Sequence, residues 1–169
     1  MKKEKEYNVF LVDDDLMYIN TLEFGLRNDK RNNLIVKSFS TGEACIKEAY
    51  ASSPDIVVLD YHLNASAKNA MNGMKILSIL KRINRDINVV MLSSQDKMEI
   101  AVDCLRSGAF DYVIKNDVAF VRLKNSINNI IYDIDMKRNS KLYRSLNIAI
   151  GIILFVLLAI IVATSEGRF

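Results

Sequence analysis

The chain has one proline, one histidine and two cysteines among its 169 residues, and each scarcity removes a class of protein. Cys45 and Cys104 stand far apart without metal-ligand spacing, and His62 is the lone imidazole, so a zinc site or a disulfide framework lacks the side chains it needs. Both thiols read as reduced core residues. The first 130 residues carry no dense block of lysine and arginine, and the net charge is only +3. The electrostatic footprint of a nucleic-acid binder is therefore missing, and no nucleic-acid partner is expected. The start of the chain also lacks the pattern of a signal peptide. Met1-Lys2-Lys3-Glu4-Lys5-Glu6 is charged and leads to an apolar run of only four residues before three aspartates, which places the amino terminus in the cytosol as an expectation.

About half of the residues are apolar and a quarter are charged, which leaves room for one compact core of roughly 120 residues with something added. Short runs rich in Val, Ile, Leu and aromatics recur at 9–12, 34–39, 56–59, 89–92 and 112–114, and they read as strands covered on both faces. Amphipathic stretches lie between them at 16–27, 41–51, 74–85 and 97–107, with a long one from Val118 onward. Five βα units follow, and strands joined by helices pack as a parallel sheet wrapped on both sides, a doubly wound α/β domain. The punctuation agrees. Ser40 and Glu43 have the spacing of a capping box that starts the second helix, and Pro54 closes that helix before the third strand. In the last helix, Phe120, Leu123, Ile127, Ile130 and Ile134 recur at three- and four-residue spacing, so packing on the sheet should end near Ile134.

Beyond that point the chain changes character, because Ile148 to Ala163 is sixteen consecutive residues without a polar side chain. Counted over 146–164, a helix rising about 1.5 Å per residue is roughly 28 Å long, close to a hydrocarbon core of about 30 Å. Apolar side chains face every direction around it, which leaves no polar face for lying in an interface. Lys137, Arg138, Lys141 and Arg144 precede the segment and a single Arg168 follows it, so the positive-inside rule puts the large amino-terminal part in the cytoplasm. The expected organisation is a domain at 1–134, a basic segment at 135–145, a transmembrane helix at 146–164 touching membrane lipid, and a short external tail at 165–169. Localisation would be single-pass in a bacterial cytoplasmic membrane. Ala159 and Ala163 have the spacing of a helix dimer seam, which leaves a homodimer open. No Gly or Pro interrupts 117–150; one continuous helix and a hinge in the polar segment are both compatible with that.

In open α/β sheets, ligands sit beyond the carboxyl ends of the strands. Here the first strand ends in Asp13-Asp14-Asp15, the third in Asp60, the fourth in Ser93-Ser94 and the fifth in Lys115. With Asp15 set aside as a helix cap, three carboxylates, a hydroxyl and an ammonium reach one rim. Crowded carboxylates repel and raise one another's pKa unless a cation favours their charged forms, so a hard divalent ion is implied, and magnesium suits an all-oxygen site that meets phosphate. Asp60 is then a nucleophile for phosphoryl transfer, with Lys115 and Ser93 pairing phosphoryl oxygens.

Over about residues 6–134 the chain resembles the receiver domains of two-component response regulators. The resemblance rests on Phe10-Leu11-Val12-Asp13-Asp14-Asp15, Pro54-Asp55-Ile56-Val57-Val58-Leu59-Asp60, Asn72-Gly73, Val90-Met91-Leu92-Ser93-Ser94 and Ser107-Gly108-Ala109-Phe110-Asp111-Tyr112-Val113-Ile114-Lys115. It implies a flavodoxin-like fold with strand order 2-1-3-4-5. It also implies Asp60 as phosphoacceptor, and magnesium (Mg2+) held by Asp14, Asp60 and the His62 backbone carbonyl, with Asp13 acting through water. Ser93 and Tyr112 resemble the family's switch pair. A histidine kinase or phosphotransfer protein would be the donor and an unknown protein the downstream partner, and no separate substrate would be turned over.

The sequence departs from the family in three places. The Asp60 to Gly73 loop carries an insertion, Asn64-Ala65-Ser66-Ala67-Lys68-Asn69-Ala70, that either gates the rim or is an indifferent surface loop. Asn116 stands where the family has a proline after the lysine, so no cis peptide is expected there. An apolar segment takes the place of the family's usual output domain. Tyr112 is open to reading as a plain core aromatic, and the side chain of His62 is expected to face solvent. Two competing functions remain. A constitutive tethered scaffold would keep the fold without signalling, and a phosphohydrolase of the haloacid dehalogenase type would require Asp-x-Asp-x-Thr/Val on the first strand, where Asp15 is instead followed by Leu16 and Met17.

Overall fold

A computed structural model of the chain describes residues 5–63 and 71–166, and in the last helix it describes side chains as far as 152 apart from those at 141, 142, 144 and 145. The elements alternate as β1 (Glu6–Val12), α1 (Leu16–Arg27), β2 (Asn33–Phe39), α2 (Gly42–Ala51), β3 (Ile56–Asp60), α3 (Gly73–Ile83), β4 (Asn88–Ser93), α4 (Met98–Arg106), β5 (Asp111–Ile114) and α5 (Ala119–Glu166). All four strand pairings are parallel, in the order β2-β1-β3-β4-β5. This is the flavodoxin-like arrangement. The chain divides into two compact units, Met1–Ile130 and Ile131–Phe169.

In the first unit, burial follows strand position. β3 is central, and all of its residues are buried. β2 lies at the edge, and only Val36 in it is buried, which corrects the expectation that every strand is covered on both faces: Ile35 is exposed, and Lys37 on β2 pairs with Glu48 of α2. Phe10, Val12, Val57, Leu59, Val89 and Met91 pack into a core with Ile76, Leu77 and Leu80 of α3. Along α5, Leu123, Ile127 and Ile130 are buried, as their spacing requires. Gly25 of α1 lets the Phe120 ring approach, since a Cβ there would stand 2.4 Å from its Cζ. Cys45 and Cys104 are free and buried.

The starts of α1, α2 and α3 are set by side chains. Asp15 caps α1 by accepting from the N–H groups of Met17 and Tyr18 at 3.0 and 3.1 Å, and Asn72 caps α3 by accepting from Lys75 N at 3.0 Å. The cap of α2 is Thr41, which accepts from Ala44 N, and not Ser40 as the capping-box spacing suggests. Among the described residues no peptide bond is cis.

The expected membrane span is corrected. Among the described residues no helix is long and apolar enough to cross a membrane, so the single-pass localisation and the transmembrane element of the fold are not upheld. A spanning helix needs about 20 predominantly apolar residues. The described side chains of that segment reach only from 146 to 152, and a stretch of about 20 residues ending there takes in the charges of Lys137 and Arg138. The side chains at 153–166, the Ala159 and Ala163 spacing, the tail residues 167–169 and the insertion at 64–70 lie outside the described residues.

Candidate functional site

The carboxyl ends of β1, β3, β4 and β5 meet at one rim because parallel pairing carries each strand past its neighbour in register. Leu59 lies beside Val12 and Met91, and Ser93 beside Ile114. Backbone bonds prolong the pairing into the loops: Asp13 N donates to Phe39 O at 3.2 Å, Tyr61 N to Leu92 O at 2.8 Å and Lys115 N to Ser93 O at 2.7 Å. Asp13, Asp60 and Ser93 are thereby fixed below the surface as buried polar residues.

Carboxylate oxygens of Asp13, Asp14 and Asp60 all lie within 4.8 Å of one another, with Asp14 exposed and the other two buried. Lys115 enters between them, its Nζ 2.6 Å from Asp13 Oδ2 and 2.9 Å from Asp60 Oδ1. The second oxygen of Asp13 accepts from Asp15 N at 3.0 Å. Burial pushes the pKa of Asp60 upward; the Lys115 hydrogen bond and charge oppose the rise, and the charges of Asp13 and Asp14 add to it. Burial by itself would lower the pKa of Lys115, but hydrogen bonds to Asp13 and Asp60 and their charges outweigh it and the net direction is up. One ammonium among three carboxylates leaves two negative charges uncompensated, and the donors are all oxygen. Both properties fit a hard divalent cation, and the exposed Asp14 marks the side from which an ion retaining waters would be held.

The start of α3 lies close against the end of β3. Gly73 N donates to Tyr61 O at 3.1 Å, and a Cβ on Gly73 would stand 2.4 Å from Asp60 O and 2.9 Å from Tyr61 Cα. Only a residue without a side chain allows that approach. This gives the Asn72-Gly73 pair a physical role: Asn72 caps the helix that Gly73 brings against β3.

Ser93 and Tyr112 converge on one residue. The Ser93 hydroxyl accepts from Gln95 N at 3.1 Å, and the Tyr112 hydroxyl donates to Gln95 O at 2.8 Å. The Tyr112 ring packs partly buried against the core, and burial raises the pKa of its hydroxyl. His62 sits on the turn after β3, and its ring stacks edge-on against Tyr61 at 4.9 Å, so its side chain is part-buried instead of turned wholly to solvent. Sequence reasoning missed Gln95 and also Tyr18, whose ring centre lies 4.8 Å from Lys115 Nζ. The available signal for Tyr18 was its place three residues after the Asp15 cap, in the helical turn that overhangs the rim.

The family model for the response regulator receiver domain matches residues 9–128. The transcriptional regulatory protein PrrA of Mycobacterium leprae is 29% identical over 107 residues, which are 63% of this chain and 42% of PrrA; the match spans less than half of that relative. In three dimensions the chain is similar to a CheY-like response regulator receiver domain protein from Methanospirillum hungatei, with a TM-score of 0.67 at 17% identity over 79% of this chain and 99% of the other. It is also similar to a receiver domain protein from Clostridium thermocellum, with a TM-score of 0.66 at 23% identity over 77% and 98% of the two chains. The structural likenesses speak for the fold, and the match over residues 9–128 speaks for the family.

Proposed function

Because the chain belongs to the response regulator receiver family through its match over residues 9–128, we propose that it is a phosphorylation-controlled binding switch with Asp60 as its phosphoacceptor. Receiver domains are signalling modules phosphorylated on an aspartate by histidine kinases or phosphotransfer proteins, and they bind Mg2+ at an acidic pocket. The observation that carries the assignment is the Asp60 carboxylate. It is buried at the end of β3, bonded to Lys115 at 2.9 Å and clustered with Asp13 and Asp14.

Asp14, Asp60 and the His62 backbone carbonyl would hold the ion, with Asp13 reaching it through water. When bound, Mg2+ supplies positive charge that shields an incoming phosphoryl group from the carboxylates. The rest of the chemistry belongs to side chains. An oxygen of Asp60 forms a bond to phosphorus as the donor's phosphorus–nitrogen bond breaks, and the donor imidazole departs with a proton. Lys115 gives up Asp60 Oδ1 and pairs with a phosphoryl oxygen, and the Ser93 hydroxyl turns from Gln95 N–H to donate to another. Tyr112 then loses its fixed neighbour. A change in the face formed by α4, β5 and the start of α5 is supported by α4, which buries only Cys104 and leaves Met98, Val102 and Leu105 exposed. A downstream protein reading that face is the output.

Magnesium with acetyl phosphate should add one phosphoryl group to the wild-type chain and none to Asp60→Asn, read by intact-protein mass spectrometry. Label retained in the variant defeats the assignment.

A further inference from the structure

Among the described residues, one buried side-chain polar atom has no hydrogen-bond partner, the hydroxyl of Tyr18. Its backbone is accounted for, since Tyr18 N donates to the cap Asp15 at 3.1 Å. Its ring is engaged as well, with the centre 4.8 Å from Lys115 Nζ, the same ammonium that bonds Asp13 and Asp60. A packing role does not explain this residue. Phenylalanine would fill the same space without burying an O–H that makes no bond, which is costly to folding. What the tyrosine adds lies on the site side: an aromatic face that attracts a cation, more strongly where water is excluded, and a donor held in reserve.

We propose that Tyr18 is a positioning residue for phosphoryl transfer to Asp60: its ring keeps the Lys115 ammonium at the rim, and its hydroxyl hydrogen-bonds an oxygen of the phosphoryl group once Asp60 carries it. The inference rests on Asp60 being the phosphoacceptor. Lys115 must leave Asp60 Oδ1 when that carboxylate is esterified, and a lysine ammonium is a strongly hydrated charge on a flexible stem. Its side chain is already 17% exposed, so a way out to water exists. The ring stands on the helix above and attracts the charge whichever oxygen it pairs with. The arriving phosphoryl oxygens are strong acceptors in a pocket where the Tyr18 hydroxyl has none.

The test compares Tyr18→Leu and Tyr18→Phe in the full chain, with urea melts confirming that both are folded. In Tyr18→Leu, the ε-methylene proton resonance of Lys115 should move downfield as the ring current is lost, and labelling by acetyl phosphate with magnesium should slow roughly tenfold. Tyr18→Phe should keep the resonance, yet bind beryllofluoride about fivefold more weakly for want of the hydroxyl. An unmoved Lys115 signal or wild-type labelling in Tyr18→Leu overturns the role of the ring, and wild-type beryllofluoride affinity in Tyr18→Phe overturns that of the hydroxyl. If the wild-type chain takes no label at all, the assignment of Asp60 falls, while the resonance still decides whether the ring holds the ammonium.

Discussion

At the amino end of β3, Asp55 directs its carboxylate to the backbone. Its Oδ2 accepts from Asn8 N at 2.9 Å, and its carbonyl takes both the N–H and the side-chain amide of Asn88. At the carboxyl end of the same strand, Asp60 meets other charges: Lys115, Asp13 and Asp14. The lysines differ in the same way. Lys81 near the first rim donates to the Ile87 carbonyl at 2.6 Å, whereas Lys115 at the second is shared by two carboxylates. An acidic residue at a strand end is therefore not a signal in itself. Polar groups bonded to backbone hold the fold, whereas the carboxylates at the other rim are left with surplus charge among themselves.

The contrast between the two rims can be measured. The largest effect should come from the ion: magnesium at a hundred times its dissociation constant should raise the unfolding free energy by about 2.7 kcal/mol, read as a shift in urea midpoint. Asp55→Ala should respond fully and Asp60→Asn should not; an equal response in Asp60→Asn would place the ion elsewhere. Without magnesium, the two rims should answer with opposite signs. Asp55→Ala should lose about 2 kcal/mol as the Asn8 N–H is left unpaired, and Asp60→Asn should gain about 1 kcal/mol by removing a buried, repelled charge.

Acid and base should separate them too. The pKa of Asp60 is raised, so the folded state holds its proton more tightly than the unfolded chain. Its contribution is complete below the ordinary value of 3.8 and is lost as pH rises through the higher folded value. Magnesium-free protein should therefore lose stability across that window, and Asp60→Asn should show no such step. Asp29 runs the other way. Hydrogen bonds from Arg31, aided by Lys124, hold its carboxyl below the usual range, so its contribution is present above 3.8 and lost as pH falls. Asp29→Asn should flatten the acid decline by less than about 1 kcal/mol. The smallest effect concerns Cys45, whose thiol burial pushes up to about 12; a thiol reagent at pH 8 should leave it unmodified until urea unfolds the chain.

Much of the architecture was readable because strand ends and helix periods follow local rules, and the elements fall within a few residues of the expected ones. Strand exposure was not. The polar Lys37 and Ser38 mark β2 as an edge only once its place in the sheet is known. Ser40 and Thr41 both carry a hydroxyl, and spacing to an acidic residue cannot decide which one accepts from the helix; backbone geometry does. In the site, the residues that end strands were legible because the sheet delivers every strand end to one rim. Tyr18 and Gln95 were not, since their contributions depend on which way a helix turn and a loop face that rim. The span expected from the length, apolarity and flanking charges of the carboxyl-terminal run is not upheld, since none of these local properties fixes where a helix lies and no described helix is long and apolar enough to cross a membrane.

Gln95 is gripped from both sides, its N–H by Ser93 and its carbonyl by Tyr112. Ser93 cannot rotate away without freeing one end of this residue, and Tyr112 cannot swing without freeing the other. If Ser93 and Tyr112 turn as the proposed switch requires, a single glutamine backbone ties the two motions together like a rod, and loosening one end should ease the other. A setting with one side chain turned and the other at rest would leave half of that rod dangling, which would favour two discrete stops for the loop before α4 over a continuous slide.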